Sequence, residues 1–135
     1  MNSAYPKNLV GLCFAAIMFC ACGCALFESD DGAFYTRPTP AERIEVKERA
    51  GRTITFSVTC SWPDGCGRYS HFTARQQGNE YTVQIFGGRT AAAVCPAVVI
   101  HFIAPVEIKV PAPGAYDFHF WQSDTTSIDT SLVVG

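Results

Sequence analysis

An all-β fold, an antiparallel β-sandwich of about seven strands, is the class that three features of this 135-residue sequence predict. Apolar and polar residues alternate with a period of two through most of the chain beyond Glu42. Turn residues recur about every ten positions, and no useful length carries the 3.6-residue period of a helix. With 48% hydrophobic and 16% charged residues the chain can bury one core and is not a disordered polymer. A single folded domain over residues 42–135 is the natural organisation.

The strands can be read in order. Ile44 and Val46 alternate with Glu45 and Lys47, and Ile54, Phe56, Val58 and Cys60 alternate with Thr53, Thr55, Ser57 and Thr59. Ala50-Gly51 joins these two half-buried strands. After the turn Trp62-Pro63-Asp64-Gly65, Phe72 and Ala74 belong to a third strand. Gln77-Gly78-Asn79 then turns the chain into a fourth, with Tyr81, Val83 and Ile85 on one face. Gly87 and Gly88 read as a loop after that strand, and residues 91–93 could make one helical turn, although the glycines before and Pro96 after favour a loop there too. The run from Val98 to Val110 is interrupted by Pro105, which makes it two strands or one bent edge strand. Tyr116, Phe118 and Phe120 alternate with Asp117 and His119, and Ile128, Thr130, Leu132 and Val134 close the chain.

Ahead of the domain, Lys7 is followed by residues 9–27, which contain no charge and carry Leu9, Val10, Leu12, Phe14, Ile17, Met18 and Phe19. This is the pattern of an export signal. The stretch is also long enough to span a bilayer as one helix, so a retained transmembrane anchor, or a secreted product, is the alternative. Small residues at its end (Ala21, Gly23, Ala25) and the polar segment from Glu28 to Gly32 favour cleavage. Residues 24–41 then read as a tether, with Pro38 and Pro40 stiffening it.

The small-residue-then-cysteine pairs Ala21-Cys22 and Gly23-Cys24 resemble the signal of bacterial lipoproteins, in which that cysteine is acylated and becomes the mature terminus. The resemblance implies a signal peptide over residues 1–23 and a lipid on Cys24, with Cys22 as the alternative. It further implies a place on the bacterial cell envelope, at the outer membrane in a Gram-negative cell, since no aspartate follows either cysteine. The usual aliphatic residue three places upstream is absent at both sites, where Phe19 and Ala21 stand.

A second resemblance lies in Pro113-Gly114-Ala115-Tyr116, which is similar to the Pro-Gly-x-Tyr lead-in to a late strand in immunoglobulin-like and fibronectin-type domains. It implies a tyrosine corner, with Gly114 shaping the turn and the Tyr116 hydroxyl bonding upstream backbone. The wider stretch from Cys66 to Tyr116 is similar to small secreted bacterial domains of that class. That likeness implies a Cys66–Cys95 disulfide and no activity. Cys60, in phase with Ile54, Phe56 and Val58, is then the unpaired thiol of the core.

The chemistry-bearing residues form no motif. Cys20, Cys22 and Cys24 lack the paired spacing of a tetrahedral thiolate site, and His71, His101 and His119 sit on different strands without chelating spacing, so no metal is expected. No Gly-x-Ser-x-Gly elbow is present to support a nucleophile beside Asp117 or Asp129, and the Phe86-Gly87-Gly88-Arg89 run is too short to cradle a phosphate. No cofactor is expected. Over residues 25–135, nine Lys and Arg (all but Lys7) face twelve Asp and Glu, a formal balance of minus three, which argues against a nucleic-acid partner.

The aromatic residues suggest a contact surface. His119 and Trp121 are out of phase with the apolar face of their strand, and Trp62 stands between Cys60 and Cys66. For Trp62 the competing expectation is that it packs on the disulfide or caps the core. Together these features imply a membrane-anchored envelope lipoprotein with a non-catalytic binding or accessory role. Its expected partners are the membrane, through the lipid, and another envelope protein or a polysaccharide. A structural envelope protein, or a small enzyme or enzyme inhibitor on the same scaffold, is the alternative.

Overall fold

Period-two alternation along residues 53–62 sends Ile54, Phe56, Val58, Cys60 and Trp62 inward, each no more than 1% exposed. That strand is the centre of one of two packed sheets. The computed structural model describes residues 32–91 and 93–135, and among them there are eight strands and no helix. In chain order these are β1 (Phe34–Thr39), β2 (Ala41–Ala50), β3 (Thr53–Trp62), β4 (Arg68–Gln77), β5 (Glu80–Thr90), β6 (Ile100–Lys109), β7 (Gly114–Trp121) and β8 (Ser127–Val134).

The three-stranded sheet runs β2-β3-β6, antiparallel throughout. In the five-stranded sheet β5 pairs along one edge with β4. Its other edge is shared end to end by β7, against Glu80 to Val83, and by β1, against Ile85 to Thr90. β8 then closes on β7. The molecule is a β-sandwich, with Phe56, Val58, Val83, Ile85, Val106, Phe118 and Phe120 filling the space between the sheets. Phe56 lies 5.0 and 5.1 Å, centroid to centroid, from the rings of Phe118 and Phe120. These contacts join the two sheets.

The expected β-sandwich is present, and one strand pair departs from its antiparallel pattern, because β5 and β7 are parallel. The reason is parity. β5 ends at one end of the sandwich, β6 returns along the opposite sheet, and β7 sets out again in the direction of β5.

Two further corrections concern boundaries. Residues 34–39, expected to be tether, form β1, and Thr39 is 2% exposed and Ala41 1%. The Thr39 hydroxyl accepts the Gly87 N–H at 2.8 Å, which anchors the strand. Gly87 and Gly88, read as loop, continue β5 between β1 and β4. Glycine there reflects close approach, since a Cβ on Gly87 would lie 2.8 Å from both Thr39 Oγ1 and Trp62 Cε3. β6 is one strand through Pro105; it has a partner on one side only, so the missing N–H is tolerated.

The two ends of the sandwich are built differently. At one end lie Trp62, residues 63–67 and the loop at residues 93–99, joined by the Cys66–Cys95 disulfide. At the other are the tight turns between Ala50 and Thr53 and between Gln77 and Glu80, with Gly51 and Gly78 at φ +60° and +62°. Tyr116 stands at that second end, 3% exposed, and its hydroxyl donates to the Ala112 carbonyl at 2.7 Å.

Candidate functional site

The outward positions of the five-stranded sheet bring together polar side chains from β4, β5, β7 and β8. Because β5 and β7 are in register, Thr82 stands beside His119, while Thr82 also faces Arg75 across the β4–β5 pair and Gln84 faces Thr73. On the far side His119 faces Asp129 and Trp121 faces Ser127. The result is a shallow groove of about 230 Å³ lined by Thr73, Arg75, Thr82, Gln84 and Trp121. Trp121 is half-buried, with polar groups on the strands beside it.

At the margin of the groove, His119 Nδ1 lies 2.8 Å from Asp129 Oδ1, and the Ser127 hydroxyl donates to the same oxygen at 2.6 Å. These two partners, the serine first, hold the Asp129 carboxyl below its ordinary range. Ser127 is therefore bonded to the carboxylate and not to the imidazole, the reverse of what activating a hydroxyl by histidine requires. Further along the face the His71 ring stacks on Phe86, with centroids 4.5 Å apart.

Of the residues singled out from the sequence, His119 and Trp121 share this face, but Trp62 does not. Trp62 as part of an exposed binding surface is corrected: it is the last residue of β3 and is 1% exposed. The Arg37 guanidinium lies 4.5 Å over its ring, and Gly67 is so close that a Cβ there would come within 2.0 Å of Trp62 Cγ. Its buried indole N–H has no hydrogen-bond partner among the described residues. Gly114 and Tyr116 lie at the opposite end from the disulfide. Cys24 and Cys22, the candidate acylation sites, lie outside the described residues.

Cys66 and Cys95 are disulfide-bonded and Cys60 is a buried free thiol. Burial, with the Glu42 charge adding to it, pushes the Cys60 thiol up to about 12. Asp64, Cys66 and Cys95 lie close enough to suggest a metal site. Both sulfurs are oxidised, however, and Asp64 is engaged by the Cys66 N–H at 3.0 Å and by Arg89 at 3.1 Å.

Arg75, Thr73, Thr82 and Gln84 are residues that the sequence does not single out. Each is a polar residue at an outward position of an alternating strand, like many others. What distinguishes them is the pairing of β5 with β7, which sets Trp121 beside them.

The class of protein so defined is a small, disulfide-stapled β-sandwich with a shallow aromatic and polar groove on its larger sheet. Residues 56–130 match the ORF11 beta-sandwich domain, which covers more than half of the 135-residue chain, and the chain belongs to that family. No curated protein and no solved structure matches the chain.

Proposed function

We propose that this protein is a lipid-anchored envelope protein whose sandwich is a non-catalytic binding module, and that its ligand is a polysaccharide held in the Trp121 groove. The observation that carries the reading is the lining of that groove. An indole face beside two threonine hydroxyls, a glutamine amide and a guanidinium offers stacking for the apolar face of a sugar ring and donors and acceptors for its hydroxyls. The export pattern and the candidate acylation at Cys24 support a place on the envelope, where such polymers are found.

The two tryptophans differ in access, which provides a test. Trp62 is buried and Trp121 is half-buried in the groove, so soluble envelope glycan fragments should change tryptophan emission through Trp121 alone. Trp121→Phe should abolish the emission change, and Trp121→Ala should abolish binding measured by calorimetry while the far-ultraviolet circular dichroism still shows the folded sandwich. Glycan binding undiminished in Trp121→Ala would overturn the assignment of the groove.

A further inference from the structure

We infer that the disulfide end of the sandwich rests on the membrane surface, with the apolar loop at residues 93–99 entering the headgroup layer as a second, non-covalent contact. This rests on the anchored reading proposed above and names the face of the domain that the anchor holds down.

The first observation is where the chain joins the fold. The Ala91 N–H donates to the Ala33 carbonyl at 2.8 Å, and β1 begins with Phe34 paired to Thr90. A chain arriving from Cys24 therefore meets the sandwich at the base of this loop. The span from Cys24 to Ala33 can reach at most about 30 Å even when fully extended. The opposite end of the domain, with its tight turns and Tyr116, is a whole strand length farther away.

The loop itself is unusual for a surface. Residues 91–99 contain no charge, and Val94 is 100% exposed, Val98 54% and Val99 63%. Three exposed valines within six residues of one uncharged loop are the kind of apolar surface that a membrane interface would cover. The loop is held in place for such a contact: Cys95 is bonded to Cys66, and the Pro96 carbonyl accepts the N–H groups of Gly65 and Val98, each at 2.9 Å.

The rim has the chemistry of a membrane interface. Phe34 and Tyr35 are about two-fifths exposed, with the Arg68 guanidinium 4.7 Å over the Phe34 ring and Arg89 Nε donating to the Tyr35 hydroxyl at 2.6 Å. Aromatic rings with arginines folded over them suit the boundary between acyl chains and headgroups. Asp64 answers the charge of Arg89, whereas no carboxylate among the described residues pairs with Arg68. Arg68 is thus available to an anionic headgroup.

The test uses the full acylated chain reconstituted in phosphatidylethanolamine–phosphatidylglycerol vesicles that carry a lipid with a photoactivatable diazirine in its acyl chain. After irradiation, adducts are mapped by mass spectrometry. The expected result is lipid adducts on residues 93–99 and on Phe34 or Tyr35, with none on the turns at residues 50–53 and 77–80. Val94→Asp combined with Val98→Asp changes only exposed side chains and should lose the loop adducts while keeping those near Cys24. Adducts confined to the N-terminal segment would overturn this inference and leave the anchor standing. Loop adducts in protein without acyl chains would support the contact and remove the anchor. Crosslinks from the loop to a second protein molecule in place of lipid would overturn it.

Discussion

The tyrosine end and the disulfide end of this sandwich solve the same problem, closing an open seam between two sheets, by different means. At the tyrosine end the closure is local. Two-residue hairpin turns with glycine at positive φ return the strands, and Tyr116 bonds a carbonyl only four residues upstream. At the disulfide end the closure is long-range. Trp62 is covered by Arg37 from β1 and crowded by Gly67 and Gly87, while a covalent bond joins residues 29 apart. A seam between sheets can thus be shut by short-range turn chemistry or by cross-linking distant segments. The second route leaves apolar loop surface facing outward.

The largest effect should come from the tyrosine end. Tyr116→Ala removes a side chain only 3% exposed and opens a cavity, at a cost of roughly 3 to 5 kcal/mol. Tyr116→Phe keeps the ring and deletes one hydrogen bond to the carbonyl of an exposed residue, for about 1 kcal/mol. Urea unfolding of the two variants checks this, and equal losses would mean that packing of the ring contributes little.

Next comes the staple. Replacing Cys66 and Cys95 together by serine releases a loop spanning 29 residues and should lower stability by roughly 3 to 4 kcal/mol in the chain-entropy account. Wild-type protein in the presence of a reductant should unfold at the same denaturant concentration as the double variant. A mismatch between them would mean that the serines, and not the lost bond, cause the change.

Gly87→Ala probes the cover over Trp62 without touching the disulfide. The new Cβ would stand 2.8 Å from Thr39 Oγ1 and from the indole, so β1 or Trp62 must shift, for roughly 1 to 3 kcal/mol. Hydrogen exchange should show the loss concentrated in β1. A uniform increase across both sheets would mean that the two ends are not independent.

At neutral pH the smallest effect belongs to Cys60, midway in the core, whose contribution changes only in alkali. Its thiol titrates near 9 when exposed and is pushed up to about 12 by burial. The folded state therefore holds its proton more tightly than the unfolded state does. That contribution is complete below about pH 9 and is lost as pH rises from there toward 12. Stability measured across that window should decline more steeply for wild type than for Cys60→Val, and iodoacetamide at pH 8 should label Cys60 only on unfolding. Rapid labelling of the native protein would contradict the burial.

By itself the sequence determined the class of fold and the inward set of each strand, because a period of two needs only local backbone geometry to divide a strand into faces. Ile54, Phe56, Val58 and Cys60, and Tyr116, Phe118 and Phe120, are core residues by alternation alone. The hairpin at Gly78 follows from local turn chemistry in the same way. The tertiary structure alone decided which strands are neighbours. That β1 is a strand depends on the free stretch of β5 beside which it lies, and the polar sequence Tyr35-Thr36-Arg37-Pro38 carries no sign of it. That Trp62 is buried depends on Gly67 and Gly87 approaching from distant positions. The groove depends on the parallel pairing of β5 with β7, a consequence of β6 crossing to the other sheet. Alternation says which side of a strand faces inward, but pairing depends on contacts between residues far apart in the chain, to which a local pattern is blind.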